Sequence, residues 1–139
     1  MALSHQQYVL FSIKKNIGFI KLNRPDALNA LNPGMMASIR QRLMQWRREE
    51  KVHMVVVHSS CVRAFCAGGD LKAVHNAGTK KQFSVLENLF REEYLLNNEI
   101  KTYPKPYFSF IDGIVMGGGI GLSVHGSHRL MSEKTVASM

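Results

Sequence analysis

Pro106-Tyr-Phe-Ser-Phe-Ile-Asp-Gly-Ile-Val-Met-Gly-Gly-Gly-Ile-Gly-Leu-Ser-Val-His125 decides how the rest of the chain is read. An apolar run of strand type, Tyr107 to Ile111, reaches a turn at Asp112-Gly113. Three consecutive glycines, Gly117, Gly118 and Gly119, then lead into a helix. Glycine admits unusual φ/ψ and close approach, so such a junction exposes backbone amides to an anion. A phosphate loop is excluded, because Leu122 and Ser123 follow Gly121 where the Walker pattern requires Lys-Ser/Thr. The dinucleotide fingerprint fails too: counted from Gly117 its third glycine falls on Leu122, and counted from Gly119 on Val124. Two readings stay open. Either the amides face the oxygen of a carbonyl under attack, or the helix packs so tightly on its sheet that side chains are excluded.

A chain of 139 residues, 45% hydrophobic and 20% charged, is one domain's worth of ordinary globular sequence. Met1-Ala-Leu-Ser-His-Gln-Gln7 carries neither a basic nor an apolar leader segment, and no apolar run approaches membrane-spanning length. This predicts a soluble, unexported, cytoplasmic protein with no membrane partner. Cys61 and Cys66 are too few for a disulfide scaffold or a four-thiolate zinc site. The charge of +8 suits polyanionic partners. Arg40, Arg42, Arg47 and Arg48 fall mostly on the outer side of one helix without aromatic interleaving, however, so solvated faces are expected and nucleic acid is not.

Tyr8 to Ile13 and Ile17 to Leu22 read as a hairpin. Asn32 and Pro33 form an N-cap and first-turn pair, and Met35 or Met36, Ile39, Leu43 and Trp46 recur at helical spacing down to Glu50. Val52 to Val57 is a buried-strand run feeding a second glycine turn, Ala67-Gly-Gly-Asp70. Lys72 to Lys81 gives little signal. Ser84 and Glu87 read as a capping box, opening a helix to about Lys101, with Leu86, Leu89, Phe90, Leu96 and Ile100 as its apolar stripe. Glu93 falls inside that stripe, while Glu87, Glu92 and Glu99 point away. An inward carboxylate either pairs structurally or serves a site. His128 to Glu133 predicts a further strand. His125 and His128 lack companions for a metal set, and Ser123 lies in no nucleophile elbow, so no metal and no serine nucleophile are expected.

Two glycine turns after two strands can supply two amide donors to one oxyanion if the fold joins them. Asn23-Arg-Pro-Asp-Ala-Leu-Asn-Ala-Leu31, Ala64-Phe-Cys-Ala-Gly-Gly-Asp70 and Met116-Gly-Gly-Gly-Ile-Gly121 resemble the crotonase superfamily, the enoyl-CoA hydratase/isomerase group. Within it, Phe90-Arg-Glu-Glu-Tyr-Leu-Leu-Asn97, Tyr103-Pro-Lys-Pro-Tyr107 and Gly117 to Gly126 are similar to the 3-hydroxyisobutyryl-CoA hydrolase branch. The resemblance covers about Tyr8 to Met139. It implies an α/β fold, the N-terminal part of a crotonase-like spiral of ββα units, with residues 1–139 forming one portion of that domain. It further implies an acyl-CoA thioester, with the carbonyl between the amides of Gly69 and Gly118 and Glu93 in contact with substrate. Ala67, Gly69, Asp70, Leu71 and Lys72 would lie along coenzyme A, which is part of the substrate, so that no separate cofactor is needed.

Hydratases of this group carry a glutamate where this chain has Gly121, which disfavours water addition by the two-glutamate route. The hydrolase branch uses a glutamate and an aspartate that would follow Met139, so little turnover is expected of the 139 residues alone. An uncovered sheet edge also predicts self-association. The alternatives are a hydratase or isomerase of altered site and a non-catalytic acyl-CoA-binding module.

Overall fold

The computed structural model describes residues 7–139, and the reading of the leader lies mostly outside them. The chain opens with the predicted hairpin, β1 (Val9–Lys14) and β2 (Ile17–Leu22), closed by Lys15 and Asn16 with φ of 50° and 64°. Both angles are left-handed, as a two-residue turn matched to strand twist requires. A single 3-10 turn at Pro25–Ala27 follows, then α1 (Pro33–Arg48). The Asn32 side chain accepts from the Met35 amide at 2.8 Å, and Pro33 sits where no amide is needed. Met35, Met36, Ile39, Leu43 and Trp46 are all buried, as their spacing predicts.

From here the chain winds in repeated turns. β3 (Met54–Ser59) joins one sheet, β4 (Ala64–Cys66) joins another, and α2 (Leu71–Thr79) and α3 (Phe83–Lys101) return the chain. β5 (Tyr107–Ile111), β6 (Ile114–Met116) and α4 (Gly118–Val124) repeat the step, and β7 (His128–Met131) with β8 (Val136–Ser138) begins it again. One sheet has the order β1-β2-β3-β5-β7, parallel after the opening hairpin, and the other runs β4-β6-β8, all parallel. Parallel strands buried on both faces cannot alternate. Ala64, Phe65 and Cys66 are accordingly all buried.

Several elements differ from the sequence reading. α2 is a regular helix, capped by Asp70 through the Ala73 amide at 3.1 Å, although it buries only Ala77. α3 begins at Phe83, two residues ahead of the start that the expected capping box implies. Ser84 lies inside it, and Gln82 provides no side-chain cap. Leu89, Leu96 and Ile100 are buried, but Phe90, at the margin of the stripe, is exposed. The arginines of α1 are not merely solvated. Arg40 binds Glu92 and Arg47 binds Glu99 across the α1–α3 seam, while Arg42 lies 4.5 Å from the Phe11 ring. Among the described residues no helix is long and apolar enough to cross a membrane.

Candidate functional site

The fold brings the two glycine turns together, and each glycine there has a different task. Gly68 (φ 105°) and Gly117 (φ 48°) take backbone conformations that a side chain would strain. Gly119 is a packing contact: a Cβ there would stand 2.3 Å from the Cys66 carbonyl oxygen, so α4 lies directly on β4. At Gly118 a Cβ would stand 3.5 Å from the Gly69 nitrogen and 3.1 Å from Glu93 Oε1, and at Gly69 it would meet nothing within 4 Å. Close packing therefore accounts for Gly119, while Gly69 faces open space and Gly118 lies against Glu93 and the Gly69 nitrogen.

The direction of the Gly69 amide follows from its neighbours. Leu31 forms a parallel bridge with Gly69, donating to the Gly68 carbonyl at 2.7 Å and accepting from the Asp70 amide at 2.9 Å. In a parallel bridge those bonds use the groups on either side of the middle residue, whose own amide faces the other way. Gly69 N–H is thus turned from the Leu31 loop. Gly118 opens α4, where an amide has no partner within the helix. Among the described residues neither amide donates to a protein acceptor.

The segment Asn23 to Leu31 holds the first turn in place. Leu28 and Asn29 both have positive φ, and the buried Asn29 side chain donates to Ser59 Oγ at 2.7 Å and to the Phe65 carbonyl at 3.0 Å. Its oxygen accepts from the Arg24 amide at 2.8 Å. Arg24 reaches across to Asp70, Nη1 to Oδ2 at 2.9 Å, and also donates to the Ala30 carbonyl. Burial alone would raise the Asp70 carboxyl, but the Ala73 amide and the Arg24 guanidinium outweigh it and hold the group below its ordinary value. No role for Arg24 or Asn29 was assigned from sequence, although both stand in the quoted motif. Their bonds span distant parts of the chain, which no local periodicity reveals.

Beside this turn lies an open groove of about 570 Å³. Arg24, Leu28, Ala67, Gly69, Asp70 and Lys72 line it, with Leu71 also on its wall. The predicted coenzyme residues are thus gathered on one groove. Glu93 comes from α3 and is half-buried, with no hydrogen bond or ion pair among the described residues. The structural alternative for Glu93, a bond to arginine or to a backbone amide, is not what the fold provides. Glu92 and Glu99 take that part instead, through α1. His128 stacks on Phe108 with ring centroids 4.2 Å apart, and among the described residues no three His, Cys, Asp or Glu gather as a metal set.

Two parallel-stranded sheets wound in ββα turns, with adjacent glycine turns at the strand ends, define a crotonase fold. The Enoyl-CoA hydratase/isomerase family model matches residues 17–139, and the chain belongs to that family. It is 52% identical over 122 residues to the mitochondrial 3-hydroxyisobutyryl-CoA hydrolase of Xenopus laevis, covering 88% of this chain and 31% of that protein. It is 42% identical over 133 residues to the small ribosomal subunit protein mS47 of Neurospora crassa, covering 94% of this chain and 26% of that one. Among solved structures it resembles an enoyl-CoA hydratase from Rhodobacter sphaeroides, with a TM-score of 0.91, 39% identity, and coverage of 95% of this chain and 39% of that chain. The chain spans about a third of the length of the curated relatives it matches. The cytoplasmic expectation is corrected by the same finding, since those hydrolases are named as mitochondrial. Such an address is invisible to a reading of composition.

Proposed function

We propose that these residues belong to an acyl-CoA thioester hydrolase of the 3-hydroxyisobutyryl-CoA type, acting in valine catabolism and located in mitochondria. The observation that carries the reading is that the amides of Gly69 and Gly118, neither donating to a protein acceptor among the described residues, lie close together, a Cβ on Gly118 standing 3.5 Å from the Gly69 nitrogen. The thioester carbonyl oxygen would rest between them, and Glu93 would touch the acyl group. Ala67, Gly69, Asp70, Leu71 and Lys72 would run along the coenzyme.

The chemistry then follows from charge development. Water adds to the carbonyl carbon and gives up a proton to solvent, the π electrons move to oxygen, and the two amides stabilise the resulting oxyanion. Collapse re-forms the carbonyl and expels the thiolate of coenzyme A, which takes up a proton, while the acid formed loses one to solvent and leaves as 3-hydroxyisobutyrate. Loss of one such donor typically costs about 100- to 1000-fold in rate. The acid that the hydrolase resemblance uses to activate water has no counterpart assigned among the 139 residues. On this reading the chain binds thioester with little turnover of its own.

The test is calorimetric titration of the protein with 3-hydroxyisobutyryl-CoA, comparing Gly69→Ala with Gly69→Pro. Alanine keeps the Gly69 amide and adds only a methyl on the groove wall, so it is the reference against which loss of the donor is read. Proline removes the donor and should weaken binding at least tenfold. Equal binding by both variants would refute the amide pair.

The likeness to a ribosomal protein favours a second reading, a non-catalytic module of the same fold. It predicts no turnover even when the chain is supplied within its full-length protein.

A further inference from the structure

α3 and α4 face each other with a matched spacing that goes beyond the amide pair. Glu93 and Asn97 stand four residues apart on α3, one turn above the other on a shared face. Gly118 and Gly121 stand three apart on α4. Glu93 lies over Gly118, and the Asn97 carboxamide lies over Gly121, where a Cβ would stand 2.8 Å from Oδ1 and 3.0 Å from Nδ2. The carboxamide thus fills the space that a side chain at position 121 would take. Asn97 is half-buried, yet neither its oxygen nor its nitrogen forms a hydrogen bond among the described residues. A donor and an acceptor therefore stand open one helical step from the Gly118 amide.

Three residues of helix advance about 4.5 Å along the axis. That separation matches the reach from a thioester carbonyl to an oxygen on the β-carbon of the acyl group. We infer that Asn97 binds a hydroxyl on the acyl β-carbon through its carboxamide, making it the residue that distinguishes 3-hydroxyacyl thioesters from unsubstituted ones. This assignment rests on the acyl-CoA reading above and adds the determinant of acyl choice. It also gives Gly121 a physical reason: a larger residue there would displace Asn97 from the acyl site.

The experiment titrates the protein with 3-hydroxyisobutyryl-CoA and with isobutyryl-CoA, which differ only in that hydroxyl, for the wild type and for Asn97→Leu. Leucine keeps the number and branching of the side-chain heavy atoms and removes both hydrogen-bonding atoms. The wild type should prefer the hydroxy ester by about fivefold to tenfold, the worth of one hydrogen bond of roughly 1 kcal/mol. Asn97→Leu should abolish the preference, bringing the ratio of the two dissociation constants to about one. In the wild type, the Asn97 side-chain amide resonances should shift with the hydroxy ester and not with isobutyryl-CoA, a measurement that needs no variant to fold. A preference that survives in Asn97→Leu, equal binding of both esters by the wild type, or amide resonances indifferent to the hydroxyl would each overturn the assignment alone. Failure of both esters to bind would overturn the acyl-CoA reading and this assignment together.

Discussion

Glu93 Oε1 stands 3.1 Å from where a Cβ on Gly118 would lie, whereas one residue further on a Cβ at Gly119 would stand 2.3 Å from the backbone oxygen of Cys66. A carboxylate at the end of a side chain can turn aside, and a strand carbonyl cannot. Gly118→Ala should therefore fold with a loss of stability under about 1 kcal/mol and still bind acyl-CoA at least tenfold more weakly, because its methyl lies against Glu93 and the Gly69 amide. Gly119→Ala should cost about 3 kcal/mol or prevent folding, since α4 must lift from β4. Urea unfolding of both variants, with titration of the first, separates the glycine that shapes a site from the one that allows packing. Equal destabilisation by the two would contradict the division of tasks.

The Arg24–Asp70 pair makes a prediction with a definite sign in pH. Asp70 has a folded-state pKa below its ordinary value, so the stability it contributes is present above the unfolded value of 3.8 and is lost as pH falls through the lower folded value. Asp70→Asn keeps a capping oxygen for Ala73 but surrenders the charge facing Arg24. It should be less stable than wild type by about 1 kcal/mol at neutral pH. The two unfolding free energies should converge in acid. A difference that persists undiminished below the folded titration would show that the carboxylate charge is not what matters.

Burial pushes the Cys66 thiol up to about 12, opposed by the Gly68 amide and reinforced by the charge of Glu93, while Cys61 is half-exposed. Only thiolate reacts. At pH 8 the native protein should expose one thiol to an aromatic disulfide reagent within minutes and the second only on denaturation. Two fast thiols in the native state would mean that the β4–α4 contact opens readily.

The two helices were readable to different depths for physical reasons. Met35, Met36, Ile39, Leu43 and Trp46 repeat at about 100° per residue against a single core, so α1 declared itself. α2 buries one residue, and β6 and β8 are three residues long, too short for any period to show. The division of the strands into two sheets was likewise hidden, because it depends on where the chain turns rather than on which residues are apolar. At the candidate site, the glycines and the inward phase of Glu93 were legible. The Arg24–Asp70 pair was not, since its residues are 46 apart in sequence, nor was the partnerless carboxamide of Asn97, which lies at the edge of its stripe. Convergence in space is the property a linear pattern does not carry.

The β7 edge supports a prediction about association. Every residue of β7 and β8 is exposed, with Leu130 at 49%, Met131 at 62% and Val136 at 63%. Among the described residues β7 ends the five-stranded sheet and β8 the three-stranded one, so two rows of peptide groups and their apolar side chains face outward together. Exposed flat edges of this kind recruit further strands unless charge intervenes. Leu130→Lys combined with Val136→Lys places a charge on each edge without disturbing a buried residue. Light scattering should show mass rising with concentration for the wild type and a constant monomer mass for the double variant. A wild type that remains monomeric at the highest soluble concentration would mean that Arg129 and Lys134, already present along this margin, are protection enough.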